Sequence, residues 1–182
     1  MRKVLGLLAA LIFYNSAFAQ TSATEKISFP QSFIGNWKGT LEWFLPTEKE
    51  PRKHAMQLRI QPVKDSAGQY TWNLIYGSET ADNRPYILKP VDTAKKHWVT
   101  DELNGIVLDC YWIGNKLCSV FTVQPVTIIN NCWLEKDKLI VEFMSIQAKP
   151  VSTTGKGTEE IPNVDSYQVK SFQRAVLERS PI

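Results

Sequence analysis

The chain is poor in the residues that most often carry chemistry. Its 182 residues include two histidines, His54 and His97, and three cysteines, Cys110, Cys118 and Cys132. A protein metal centre takes three or four converging ligands, and these few residues show no such spacing, so no metal and no cofactor is expected. No G-x-S-x-G nucleophile elbow occurs. Thr154-Gly155-Lys156-Gly157-Thr158 lacks the spacing of a phosphate-binding loop. Charge of one sign is also lacking, since 21 basic residues stand against 18 acidic ones. A nucleic-acid partner normally requires a strongly basic face, so none is expected. No apolar run approaches the roughly 20 residues that span a bilayer as a helix. A helical period of useful length is missing beyond the first segment.

What the chain does have begins with a targeting signal. Arg2 and Lys3 form a short basic start, Val4 to Tyr14 is apolar, and Ala17-Phe18-Ala19 offers a small-residue cleavage site. That order describes a secretory signal peptide over residues 1–19. Cleavage after Ala19 leaves 163 residues, 20–182, as one domain, destined for the periplasm or the extracellular space. Without Arg2 and Lys3 the charge falls to 19 basic against 18 acidic residues. A domain of this size buries enough surface to fold without staples.

Nearly every stretch after Gly35 alternates with period two. Trp37, Gly39, Leu41 and Trp43 share one face, as do Met56, Leu58 and Ile60, and as do Tyr70, Trp72, Leu74 and Tyr76. Such alternation marks half-buried strands. Turn residues at roughly ten-residue spacing separate the runs, the all-β pattern. The reading predicts about ten strands, at 35–45, 54–63, 69–76, 84–91, 97–103, 106–112, 116–124, 126–134, 139–147 and 165–178, with a short helical turn near Phe29 to Phe33. Residues 147–163, rich in Pro, Gly, Ser and Thr, read as a mobile loop. Sequential antiparallel strands close on themselves because closure removes exposed edges. The predicted fold is therefore all-β, a single antiparallel up-and-down barrel of about 8–10 strands. Its first strand should pair with the last near Phe172 to Leu177.

Asn104-Gly105 is the sharpest turn signal, because both residues tolerate the positive φ of a type I′ hairpin. A two-residue loop there sets His97 opposite Trp112, Val99 opposite Cys110 and Asp101 opposite Leu108, on a face expected to be buried. The cysteines fall on three consecutive strands. Cys110 and Cys132 lie two strands apart, about 9–10 Å, beyond the ~7 Å reach of a disulfide. Any bridge must then involve Cys118. A two-residue turn at Gly114-Asn115 places Cys118 opposite Tyr111, whereas one extra loop residue makes Cys110–Cys118 a disulfide candidate. Three free thiols are the alternative, since Cys often serves as a small core hydrophobe.

Phe33-Ile34-Gly35-Asn36-Trp37-Lys38-Gly39 resembles the opening of lipocalin-like proteins, the calycin group of lipocalins, fatty-acid-binding proteins and nitrobindin-like barrels. The shared feature is G-x-W on the first strand, here Gly35-Asn36-Trp37. The resemblance implies that Trp37 plugs the barrel base and that an Arg near the last strand covers it, for which Arg174 is the candidate. A guanidinium over an indole face is worth about 0.5–2 kcal/mol. Nitrobindin-like barrels, with ten strands and no helical lid, are nearest in pattern. They hold haem through a His near the chain end, and neither His54 nor His97 is there.

The resemblance implies a small hydrophobic or amphipathic ligand in the lumen. Aromatic walls with a few polar groups suit such a pocket, and the candidates are Trp72, Tyr76, Arg84, Tyr86, His97, Asp101 and Trp112. Arg84 is a candidate anchor for a ligand carboxylate. Two rival readings use the same barrel. One is an interaction module of the cell envelope with a filled core and a functional outer surface. The other is an enzyme in which His97, Asp101 or Glu102 acts as acid or base, with Glu102 and Asp109 as a conceivable carboxylate pair. The expectation is a binding protein rather than an enzyme.

Overall fold

A computed structural model describes residues 27–181. The signal peptide expected over 1–19 lies outside the described residues. Ten strands form a closed antiparallel barrel: β1 (Gly35–Phe44), β2 (Arg52–Ile60), β3 (Tyr70–Tyr76), β4 (Asp82–Asp92), β5 (His97–Asp101), β6 (Val107–Ile113), β7 (Lys116–Val123), β8 (Val126–Glu135), β9 (Lys138–Gln147) and β12 (Val169–Ser180). Each strand pairs with the next, and β1 closes on β12 with Phe44 opposite Phe172 and Gly39 opposite Leu177. The architecture is thus all-β and up-and-down. Among the described residues the one helical turn is a 3-10 segment, Gln31–Phe33, and no helix is long and apolar enough to cross a membrane.

Residues 147–163 depart from the expected loop. Within the connection from β9 to β12, β10 (Ser152–Thr154) pairs with β11 (Val164–Ser166) outside the barrel. The Thr153 hydroxyl donates to Asp165 across this small hairpin. Its strands are three residues long and exposed on every residue, which is why alternating hydrophobicity does not reveal them.

Period two decides which side chains enter the barrel. Trp37, Leu41, Met56, Leu58, Ile60, Trp72, Leu74, Leu139, Ala175 and Leu177 are all buried. Gly39 has a separate reason to be small: a Cβ there would stand 2.1 Å from the Val176 carbonyl oxygen on β12. The lack of a side chain lets β1 and β12 close the cylinder.

The base of the barrel is filled by aromatic rings. Phe29 stacks on Trp112 at 4.5 Å and meets Phe33 and Trp98 edge-on, each at 5.2 Å. Trp37 is 1% exposed, and its indole N–H donates to the Phe33 carbonyl at 2.8 Å. The cation over Trp37 is Arg179, with its guanidinium carbon 4.2 Å from the ring centre. Arg174 is not the covering residue. The register puts Trp37 opposite Arg179 and Glu42 opposite Arg174, so Arg174 points outward and pairs with Glu142 at 3.2 Å. The reason is parity and length. β12 continues to Ser180, and its inward set includes Ala175 and Leu177, to which Arg179 belongs and Arg174 does not. Arg179 also donates to the carbonyls of Ser32, at 2.7 Å, and Ile34. Gly35, at φ 149°, leaves room for it, since a Cβ there would lie 2.5 Å from the guanidinium. The Gly and the Trp of the motif thus act together, one by absence and one by stacking.

Candidate functional site

The other end of the barrel is open. A cavity of about 320 Å³ occupies this half, within the usual range for small-ligand pockets. Trp72, Leu74, Leu108, Phe121 and Phe143 supply apolar wall, and Thr100, Ser119 and Asn130 supply uncharged polar groups. Tyr76, Arg84, Tyr86 and Glu102 also line it. Tyr76 ends β3, Arg84 and Tyr86 lie near the start of β4, and Glu102 directly follows β5, all away from the aromatic base.

The charges here are matched within the protein. Arg84 holds Asp82 through Nε at 2.9 Å and Nη2 at 2.8 Å. This bond keeps the Asp82 carboxyl below its ordinary range and raises Arg84 further above its own. The Arg84 guanidinium lies 4.8 Å from the Tyr76 ring centre. Burial pushes the Tyr76 phenol up to about 12, with the Arg84 charge opposing the rise. Tyr86 is also raised, first by burial and then by the nearby Glu102 carboxylate.

The structure separates the residues proposed from sequence. Trp72, Tyr76, Arg84 and Tyr86 line the cavity together. Trp112 does not; it belongs to the aromatic base under Phe29. His97 and Asp101 are also away from the cavity, because the β5–β6 hairpin has a three-residue loop where two were expected. Asp101 pairs with Val107 and His97 with Tyr111. The positive φ falls on Leu103 (61°) and Gly105 (98°), with the Asp101 carboxylate accepting from the Leu103 N–H at 2.8 Å. A one-residue change in register exchanges the two faces of a strand. Trp98 and Thr100 therefore enter the barrel, and both are buried.

His97 instead meets Asp109 at 2.7 Å and stacks on Tyr111 at 4.7 Å. Asp101 pairs with Lys89 at 2.5 Å, which holds its carboxyl below the ordinary range. Glu102 alone of His97, Asp101 and Glu102 lines the cavity. The acid–base trio and the Glu102–Asp109 carboxylate pair are therefore not assembled. Among the described residues no cluster of three or more His, Cys, Asp or Glu is arranged to hold a metal.

The three thiols are free. The Gly114-Asn115 turn has its expected two residues, so Cys118 stands opposite Tyr111 and Cys110 opposite Ser119. Cys110 and Cys118 point to opposite sides of the sheet, and the candidate bridge between them is not formed. Burial raises the Cys110 and Cys132 thiols above the ordinary range.

Sequence reasoning missed Ser119, Phe121, Asn130 and Phe143 as cavity residues. Their alternation was visible in the sequence, but which half of the barrel they occupy depends on strand stagger.

No protein-family model and no curated protein matches the chain. Among solved structures, it is similar to a protein of unknown function from the DUF3598 family of Nostoc punctiforme. The two are 14% identical with a TM-score of 0.55, over 82% of this chain and 48% of that one. This chain therefore spans about half the length of that protein, and the likeness is one of fold.

Proposed function

We propose that the protein is an exported, non-catalytic carrier of the lipocalin-like kind, which holds a small hydrophobic or amphipathic molecule in the open half of its barrel. The observation that carries this reading is the aromatic-walled cavity of about 320 Å³. Burial of the ligand's apolar body supplies affinity, and a few polar contacts fix its orientation. The lipocalin-like assignment is supported by Trp37 at the base, capped by Arg179 and flanked by Gly35. Export is supported by the composition of residues 1–19. Glu102 lines the cavity while His97 and Asp101 are engaged elsewhere by Asp109 and Lys89, which supports binding over catalysis.

The envelope-module reading needs a filled barrel, and the cavity counts against it. The deciding experiment is a native mass spectrum of protein purified gently from its natural host. A mass excess that is lost on denaturation is the expected result. A bare polypeptide mass, together with no small molecule in an organic extract, overturns the carrier reading.

A further inference from the structure

The inner end of the cavity sets uncharged polar groups among apolar ones and carries no formal charge. Thr100, Ser119 and Asn130, together with Trp72, Leu74 and Phe143, line both the cavity and a void of about 20 Å³ beneath it, so these six mark the boundary between the two. The three polar residues form one band across adjacent strands: Asn130 stands opposite Ser119, Ser119 opposite Cys110, and the Thr100 hydroxyl lies 3.4 Å from the Cys110 sulfur. Among the described residues, three enclosed side-chain polar atoms lack a hydrogen-bond partner: Trp43 Nε1, Asn73 Oδ1 and Asn130 Oδ1. Of these residues only Asn130 lines the cavity. Buried polar atoms are normally paired, and an exception calls for a partner.

Resting on the carrier reading, we infer that the occupant enters with an uncharged hydrogen-bonding group leading, a hydroxyl or an amide N–H, which pairs with Asn130 at the polar band once its enclosed amide oxygen turns toward the lumen. The occupant's apolar body then lies against Trp72, Phe121 and Phe143. A hydroxyl suits the band best, because it both donates and accepts and can meet Asn130 and Ser119 together. A carboxylate or ammonium is disfavoured there, since the band offers no counter-charge and an unpaired buried ion is strongly penalised. Arg84 does not rescue a carboxylate at the band, because it lies toward the mouth and its charge is matched by Asp82 through Nε and Nη2. A pure hydrocarbon leaves the Asn130 oxygen unpaired. This selection differs from one made by a free arginine inside a lumen, which would favour acids.

The test is calorimetric titration of the purified protein with three probes of equal chain length: octan-1-ol, octanoate and octylammonium. The expected result is at least about ten-fold tighter binding of octan-1-ol than of either ion, with Asn130→Leu removing most of that preference. Amide NMR supplies a second readout in the unaltered protein, in which octan-1-ol shifts the Asn130 side-chain resonances. If Asn130→Leu does not fold, Ser119→Ala and the NMR shift carry the test. Equal or tighter binding of octanoate overturns this inference and leaves the carrier reading standing. So does an unmoved Asn130 resonance on octan-1-ol binding, which would assign its oxygen to a water in the small void. Failure of all three probes to bind, in a protein that also carries no ligand from its host, overturns both.

Discussion

The two halves of this barrel are built from the same strands but solve opposite problems. At the base, Phe29, Phe33, Trp37, Trp98 and Trp112 fill the cylinder, and Arg179 ties the capping segment to the last strand through Ser32 and Ile34. At the mouth the same inward alternation continues through Trp72, Leu74 and Phe143, yet the side chains stop short of each other and leave the cavity. The difference lies in what meets across the lumen. The base receives a plug from outside the sheet, residues 29–33, whereas at the mouth Arg84 is drawn to Asp82 and cannot seal the opening. Stability should therefore be concentrated at one end and binding at the other.

Replacing Trp37 by Ala should give the largest loss, about 3–5 kcal/mol as for other buried aromatic deletions, measured by chemical denaturation. A loss below about 1 kcal/mol would mean that the base is not where stability resides. Next in size is the contrast between two arginines on one strand. Arg179→Ala removes a cation–π contact and charged hydrogen bonds to backbone, and should cost about 1–3 kcal/mol. Arg174→Ala removes surface ion pairs and should cost under about 1 kcal/mol. Equal losses would erase the distinction between capping and decorating the barrel.

Alkaline titration sharpens the comparison at the mouth. The folded Tyr76 phenol is raised to about 12 by burial, against about 10 in an unfolded chain. The folded state then holds its proton more tightly. Its contribution is fully present below pH 10 and is lost as pH rises toward 12. Tyr76→Phe should flatten that part of the stability curve, and the absorbance titration of this variant should lose one of its late-ionising tyrosines. The smallest effect is expected at Val123, a cavity-lining residue that is 62% exposed. Val123→Ser should change stability by no more than about 0.5 kcal/mol while weakening capture of an apolar ligand.

Strand positions were legible in the sequence because each inward residue leaves a period-two trace. Trp72, Tyr76, Arg84 and Tyr86 were found on that trace and do line the cavity. His97, Asp101 and Trp112 failed for different reasons. A single loop residue, invisible to periodicity, turned His97 and Asp101 outward. Trp112 has the expected inward parity but stands at the wrong height, beneath Phe29. Arg174 is the candidate by its place on the expected last strand, 165–178, whereas register against Trp37 is the deciding quantity and selects Arg179. Cys118 faced away from Cys110 because the Gly114-Asn115 turn kept two residues.

Local chemistry in the chain determined its all-β class, the ten barrel strands and most of the turns, since alternation and turn preference act over a few residues. The one-residue shift at Leu103, the choice of Arg179 over Arg174, and the division into a sealed base and an open mouth were decided only in three dimensions. They depend on stagger and closure between strands far apart in the chain, where one residue of offset changes which side chain meets which.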